Sequence, residues 1–427
     1  MADIRKPELM APAGDMTSLK AAIDAGADAV YFGIASMNMR SSAKNFSEDQ
    51  LDEIIALCHR NNVKAYLALN TIVFNHELKK AEQLIKKAVD AKVDAIICWD
   101  FAIIDMVLQH KAVPFVSTQM SVANSRSMAF LYRHFGIKRF VLARECTLDE
   151  IRNIKEELNN MPGNPGKEIE IEIFAHGAMC VSLSGRCFLS EFHFGKSGNR
   201  GECKQPCRRE YKITEIRDGK SFLIGSNYVM SPKDLCSLPF VDKVLATGID
   251  SLKIEGRGRS PEYVSTVTSC YRRAIDYYCE NHKKENFSEN FKELKISLVK
   301  ELKSVFNRGF SEGFLFGRPV SQWTSGNGSK ATHRKVQVGI VTNFFKKPMV
   351  AEIKVEGRSF KPGDTLMFQG NKTGVKNLTV ESIEIEQKPV DVAKRNTYVG
   401  VKLSQEVRRN DKVYMIVPVE EVKEVQQ

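Results

Sequence analysis

The chain has 427 residues, 43% of them hydrophobic, enough to bury one large core and a smaller second one. Its 63 basic and 52 acidic residues leave a net charge of +11, a mild pointer to a polyanionic partner. The opening Met-Ala-Asp-Ile-Arg-Lys-Pro lacks the apolar stretch of a secretory signal, and no apolar run approaches a membrane span. The ten cysteines are therefore expected in a reducing cytoplasm, as thiols, core filler or metal ligands.

From residue 8 to about 280, short apolar runs alternate with segments of helical period, the pattern of parallel βα units. Strands are expected at 8–13, 29–33, 64–70, 95–100, 115–119, 139–144, 169–175 and 251–255. Leu51, Ile54, Ile55 and Cys58 form one helical stripe; Leu78, Ala81, Leu84, Ile85 and Ala88 form another. Ser260-Pro261-Glu262 reads as an N-cap, a proline at the first helical position and an early acid. Val264, Val267, Tyr271, Ile275 and Tyr278 follow at helical spacing. This rhythm predicts an α/β chain with a closed (β/α)8, TIM-like barrel, in preference to an open doubly wound sheet. A barrel takes roughly 250 residues, so a second module is expected. Chemistry in a barrel gathers where the strands end, and Asn70, Asp100, Gln119, Arg144, Glu145, His176, Glu255 and Arg257 fall there.

After the seventh strand the rhythm breaks for about 75 residues, rich at first in Cys, Gly and Arg. Cys180, Cys187, Cys203 and Cys207 are separated by six, fifteen and three residues. Structural zinc favours two short Cys-x(2–4)-Cys knuckles, and only the last pair resembles one. An iron–sulfur cluster also takes four thiolates and accepts looser spacing. Gly185, Gly198 and Gly201 would let the chain close around such a centre, and Cys236 is a reserve ligand. Cys58, Cys98, Cys146, Cys270 and Cys279 read as filler. From Lys196 to Lys212 six basic residues, Arg208 and Arg209 among them, stand against two acids. They suit an anionic cluster, RNA phosphates or merely solvent.

Residues 283–310 read as a further helix and 321–334 as a linker. From about 333 the period switches to two, which predicts an all-β tail with 17 basic and 12 acidic residues. The expected division is 1–282 for the barrel and its site, 283–332 for a helical extension and linker, and 333–427 for a small β barrel open to RNA contact.

The run from Glu172 through His176 to Cys180, the segment from Ser184 to Ser190, and the block from Asn199 to Arg208 resemble the signature of the collagenase-like peptidase family U32. Ser231-Pro232-Lys233-Asp234-Leu235, the block from Ser251 to Arg257 and Ala11-Pro12-Ala13-Gly14 extend the likeness. The stretch from Arg308 to Phe314 is similar to a segment of the tRNA-hydroxylating branch. The resemblance implies a 4Fe–4S cluster on Cys180, Cys187, Cys203 and Cys207, with Cys236 competing for the fourth place. It also implies oxygen-independent formation of 5-hydroxyuridine at the tRNA wobble position, with prephenate as co-substrate. Hydroxylation of 23S ribosomal RNA is the alternative within the family. Arg40 and Lys253 would then bind the prephenate carboxylates, and His176, Glu255 and Arg257 would serve the chemistry. Arg208 and Arg209 would face RNA.

Two other classes stay open. A peptidase would lack both common motifs: His76-Glu77 has no second histidine, and no Gly-x-Ser-x-Gly occurs. A thiol nucleophile at Cys180 beside His176 is its remaining arrangement. The third class is a non-catalytic RNA-binding or assembly subunit.

Overall fold

The computed structural model describes residues 5–420 apart from Ser36, Ala43, residues 225–229, Ser321 and Asn327. Seven strands lead the chain: β1 (Glu8–Ala13), β2 (Ala29–Phe32), β3 (Lys64–Ala68), β4 (Ala95–Cys98), β5 (Pro114–Val116), β6 (Arg139–Val141) and β7 (Glu170–Gly177). Between them lie α1 (Met16–Asp24), α2 (Leu51–Arg60), α3 (Leu78–Asp90), α4 (Phe101–Gln109), α5 (Ser125–Phe135) and α6 (Leu148–Asn160). The insertion follows, with α7 (Leu189–Phe194), β8 (Tyr211–Thr214), β9 (Ser221–Ile224), β10 (Asp234–Cys236) and α8 (Val241–Leu245). Then come β11 (Ser251–Ile254), α9 (Pro261–Asn281), α10 (Phe287–Leu302) and β12 (Phe310–Ser311).

The strand β11 pairs in parallel with both β1 and β7, and this closes the eight-stranded parallel barrel expected from the rhythm. The helical stripes face it as their spacing requires: Leu51, Ile54, Ile55 and Cys58 of α2 are buried, as are Ala81, Leu84, Ile85 and Ala88 of α3. Inside the barrel, Met10, Tyr31, Tyr66, Ile97 and Phe115 fill the middle. Beneath them, at the strand starts, Arg139 pairs with Glu8, Glu170 and Glu172, and Lys253 gives Nζ to Glu172 Oε1 at 2.9 Å. The barrel floor is thus a plug of ion pairs. Within the insertion, β10 adds antiparallel to β7 and β12 adds to β10. The segment read as a linker also returns here: Trp323 bridges Pro232, and the Thr324 amide donates to Ser231.

The tail comprises β13 (His333–Phe345), β14 (Val350–Val355), β15 (Thr365–Gly370), β16 (Gly374–Thr379), β17 (Ser382–Ile385), β18 (Lys388–Pro389), β19 (Tyr398–Lys402) and β20 (Lys412–Pro418). They form one antiparallel sheet around a separate core that includes Val338, Ile353, Phe360, Phe368 and Val413. Among the described residues the sheet's end strands, β16 and β18, do not pair with each other. The tail meets the barrel through polar contacts. The Thr17 hydroxyl donates to Asn371 Oδ1 at 2.9 Å, while Gln369 Nε2 and Lys335 Nζ reach Glu262 Oε2 at 2.9 and 3.0 Å.

Candidate active site and cysteine centre

At the carboxyl ends of the barrel strands lies a cavity of about 380 Å3, and Cys180, Cys187, Cys203 and Cys207 line it together. Their sulfurs gather around one region. Burial raises the Cys207 thiol, Arg208 lowers it, and Cys180, Cys203 and Cys187 each raise it further. The gathering is loose. Among the described residues no three histidine, cysteine or carboxylate side chains are drawn close enough to hold a single metal ion. Tetrahedral zinc, with bonds of about 2.3 Å, would pull its thiolates to roughly 4 Å from one another. A cluster needs a wider ring, because its own iron and sulfide atoms stand between the ligands. Four thiols on one cavity wall are a donor set that suits an iron–sulfur cluster, which takes four thiolates.

Local chemistry holds this loop over the barrel. Arg200 forks onto Glu77, with Nη1 to Oε2 at 2.9 Å and Nη2 to Oε1 at 2.6 Å, and lies 4.6 Å over the Phe74 ring. The Ser42 amide and hydroxyl both donate to the Gly201 carbonyl. Gly201 is required there: its φ is +84°, and a Cβ would collide with the Asn38 carbonyl and Ser41. Glu77, the near-match to a zinc-peptidase motif, is therefore an anchor for Arg200.

The cavity is strongly cationic. Seven Arg and Lys side chains line it among the described residues, against one carboxylate, Glu255. Lys253, near the end of β11, and Glu255 and Arg257 just beyond it all line the cavity. Arg40 gives Nη2 and Nε to Glu255 Oε1 at 2.8 and 3.3 Å, and the Tyr31 hydroxyl lies 3.3 Å from Oε2. Burial alone would raise Glu255; Arg40, Arg144 and Arg257 outweigh it and hold the carboxyl at about 2. Glu255 is thus a fixed anion that positions Arg40, and its partner is Arg40 rather than the nearby Arg257. Arg257 instead gives Nη1 to Asn38 Oδ1 at 2.9 Å. Gly33 makes room for it, since a Cβ there would run into that nitrogen and the Asn38 amide. Arg144 crosses the Phe174 ring at 3.8 Å and donates to the Ala178 carbonyl at 3.1 Å. Burial lowers both Arg144 and Arg257, yet a guanidinium remains charged. Across the barrel from β11 the wall is neutral: Asn70 Nδ2 reaches Ser117 Oγ at 3.3 Å, and Gln119 Oε1 is buried without a partner among the described residues.

Not every expected residue faces this space. Lys253 lines it, but its ammonium is paired downward with Glu172 in the barrel floor. His176 does not line it. Its ring is 2% exposed, packed among Tyr263, Tyr271 and Phe310, with Nδ1 3.5 Å from the Tyr271 hydroxyl. The strand turns the ring away from the cavity expected to hold it and into an aromatic pocket. Arg208 also turns inward rather than toward an external phosphate. It gives Nη1 to Ser231 Oγ at 2.7 Å and Nη2 to the Met179 carbonyl at 2.5 Å, which ties three segments of the insertion together. Arg209 stays exposed, 4.3 Å over the Phe194 ring. Cys236 is 2% exposed, absent from the cavity wall, and its thiol is pushed up to about 12 by burial. Arg144 was visible in the sequence only as one polar strand end among several, and Tyr31 and Asn38 gave no signal.

The His176 environment gives a testable pH dependence. Burial first, and then Arg259, depress it from 6.5 to about 3. An unfolded chain takes up this proton below about 6.5, while the folded one does not until about 3. The stability it contributes is therefore full above 6.5 and falls as pH drops through that window. His176→Gln should flatten the melting-temperature profile between pH 6.5 and 4.5, above the range of ordinary carboxylates; an unchanged slope would show that the ring is protonated in the fold.

A model of peptidase family U32 matches residues 14–325, a span that contains all the cavity residues named above. The chain belongs to peptidase family U32. An uncharacterized protease of Methanocaldococcus jannaschii is 41% identical over 416 residues, 96% of this U32 chain and 98% of the relative. A protein named collagenase from Porphyromonas gingivalis is 38% identical over 410 residues, covering 95% and 97%. A protein named tRNA hydroxylation protein P1 from Bacillus subtilis is 35% identical over 389 residues, covering 89% and 87%.

Proposed function

We propose that this U32 protein is a tRNA-modifying enzyme. It forms 5-hydroxyuridine at the wobble position without oxygen, uses prephenate as co-substrate, and carries a 4Fe–4S cluster on Cys180, Cys187, Cys203 and Cys207. The observation that carries the reading is the juxtaposition of four thiols and a ring of guanidiniums in one cavity. Arg40 and Arg144 line the same cavity wall as the four cysteines, so cations and thiols share one space. The likeness to the Bacillus subtilis tRNA hydroxylation protein supports the RNA substrate.

A thiolate-held cluster bound there would supply electron transfer at the edge of the substrate. The chain's own residues do the binding. Arg257 and Arg144 present guanidinium edges suited to the two carboxylates of prephenate. Glu255 holds Arg40 in place, and Tyr31, raised well above its ordinary value by burial, keeps its proton. Phe174 and Met179 form an apolar stretch of the cavity wall against Arg144.

The test is anaerobic protein incubated with prephenate and either tRNA or 23S ribosomal RNA, followed by mass spectrometry of the nucleosides. New 5-hydroxyuridine is expected, and its absence from tRNA with a hydroxylated base in 23S ribosomal RNA would move the substrate. The protease and collagenase names of two relatives favour a second reading, hydrolysis of collagen. Against it, no histidine lines the cavity beside Cys180 among the described residues. Cleavage of collagen by the same preparation, lost in Cys180→Ala, would establish it.

The tail offers a separate check. Removal of residues 333–427 takes away 17 basic and 12 acidic residues and severs mainly polar contacts with the barrel. The shortened protein should stay folded, keep its iron, and bind tRNA about tenfold more weakly with a shallower salt dependence. Unchanged affinity would assign the tail to packing alone.

A further inference from the structure

The cysteine insertion carries an unusual amount of exposed aromatic surface. Phe192 is 87% exposed, Phe188 58% and Phe194 40%. Phe188 and Phe192 are one helical turn apart, with ring centroids 6.4 Å apart and at 65°. Leu183, 49% exposed, and Leu189 continue the patch to the cavity wall. Bare rings in such number on a soluble surface mark a contact site.

Cations are interleaved with the rings. Arg209 lies over Phe194, and Arg186, Lys196 and Lys204 are exposed around them. On another element bordering the insertion, Phe74 is 49% exposed under the Arg200 guanidinium. A protein or lipid partner would favour a continuous apolar face. Alternating rings and cations match a single nucleic-acid strand, whose bases stack and whose phosphates alternate with them. A duplex offers no free base faces to such rings.

We propose that Phe188, Phe192 and Phe194, with Arg209, form a stacking platform for the unpaired nucleotides of an RNA loop, next to the base that enters the cavity. This rests on the RNA reading given above. It explains how a site at the bottom of a barrel mouth reaches one base: the neighbours stay stacked on protein while the target leaves the stack.

The test measures binding of the anaerobic full-length protein to a hairpin RNA with an open loop, to the same stem as a blunt duplex, and to a triple-helical collagen-model peptide. Phe192→Ala should weaken loop binding about tenfold, and Phe188→Ala combined with it more, with duplex binding unchanged. Phe192→Trp should restore affinity and Phe192→Leu should not, because stacking needs the ring and not only apolar bulk. The salt slope should be unchanged, since no charge is removed. Wild-type affinity for the loop in Phe192→Ala, or full rescue by Phe192→Leu, would overturn the platform. So would loss of peptide binding in place of RNA binding, or a wild-type dimer that Phe192→Ala dissociates. A wild-type protein that binds no loop RNA would instead sink the tRNA reading itself.

Discussion

Cys187→Ser and Cys203→Ser proteins, purified without oxygen, should emerge colourless, with less than about a tenth of the wild-type iron. Cys180→Ser and Cys207→Ser should behave alike, and Cys236→Ser should remain brown. The contrast follows from where each thiol stands. The first four line one cavity, and the Cys207 sulfur feels the other three. Cys236 lies in β10, buried against Tyr271, with its thiol pushed up to about 12. A thiol outside the cavity wall is poorly placed to join a ligand set that lines it. Full loss of iron from Cys236→Ser, with Cys207→Ser still loaded, would exchange their roles. Wild-type iron in both Cys187→Ser and Cys203→Ser would remove the cluster from this loop. Loss of iron should also abolish hydroxylation, which makes this the largest effect expected anywhere in the chain.

Arg257→Lys should lower prephenate-dependent hydroxylation about a hundredfold or more while cluster content and tRNA affinity stay near wild type. One edge of the Arg257 guanidinium is held by Asn38, and the remaining nitrogens have no hydrogen-bond partner among the described residues. That leaves a planar fork facing the cavity, which an ammonium cannot reproduce although it keeps the charge. The competing view, that Arg257 closes the barrel through an ion pair with Glu255, assigns to it the contact that Arg40 makes. Gly33→Ala should reproduce the defect with Arg257 intact, since its Cβ would displace the same nitrogen. A melting curve taken alongside separates the cases. Normal hydroxylation in a normally melting Arg257→Lys protein would take this residue out of the site.

The fold was open to reading because its signals are local and periodic. All eight barrel strands lie where short apolar runs fall, and β1 spans the residues expected of it. The break after β7 was equally plain from its cysteines and glycines. Side-chain partnership was not, since it depends on barrel closure. Arg40 meets Glu255 across 215 positions, and Lys253 meets Glu172 across 81. The pairing of β11 with β7 also shifts register between Lys253 and Ile254, so parity alone could not tell which strand-end residues face each other. His176 shows the same limit. Its neighbours Tyr263, Tyr271 and Phe310 come from distant segments, and only their assembly turns a strand-end histidine into a buried, neutral one. Arg208 looked like a phosphate ligand because its targets, the Ser231 hydroxyl and the carbonyls of Pro232 and Met179, lie in segments remote from it in the chain and carry no charge to mark them.

The ion-pair plug at the strand starts has a kinetic consequence. With Arg139, Glu8, Glu172 and Lys253 paired across the lower end, the cavity among the described residues opens at the strand ends. Whatever enters must leave by the same door. When two reactants differ greatly in size, the small one has to arrive first, because the large one would stop the mouth. The product of the small one must then wait until the large one departs. A steady-state analysis would show this as compulsory order, with excess of the large reactant inhibiting turnover and extra small reactant relieving it.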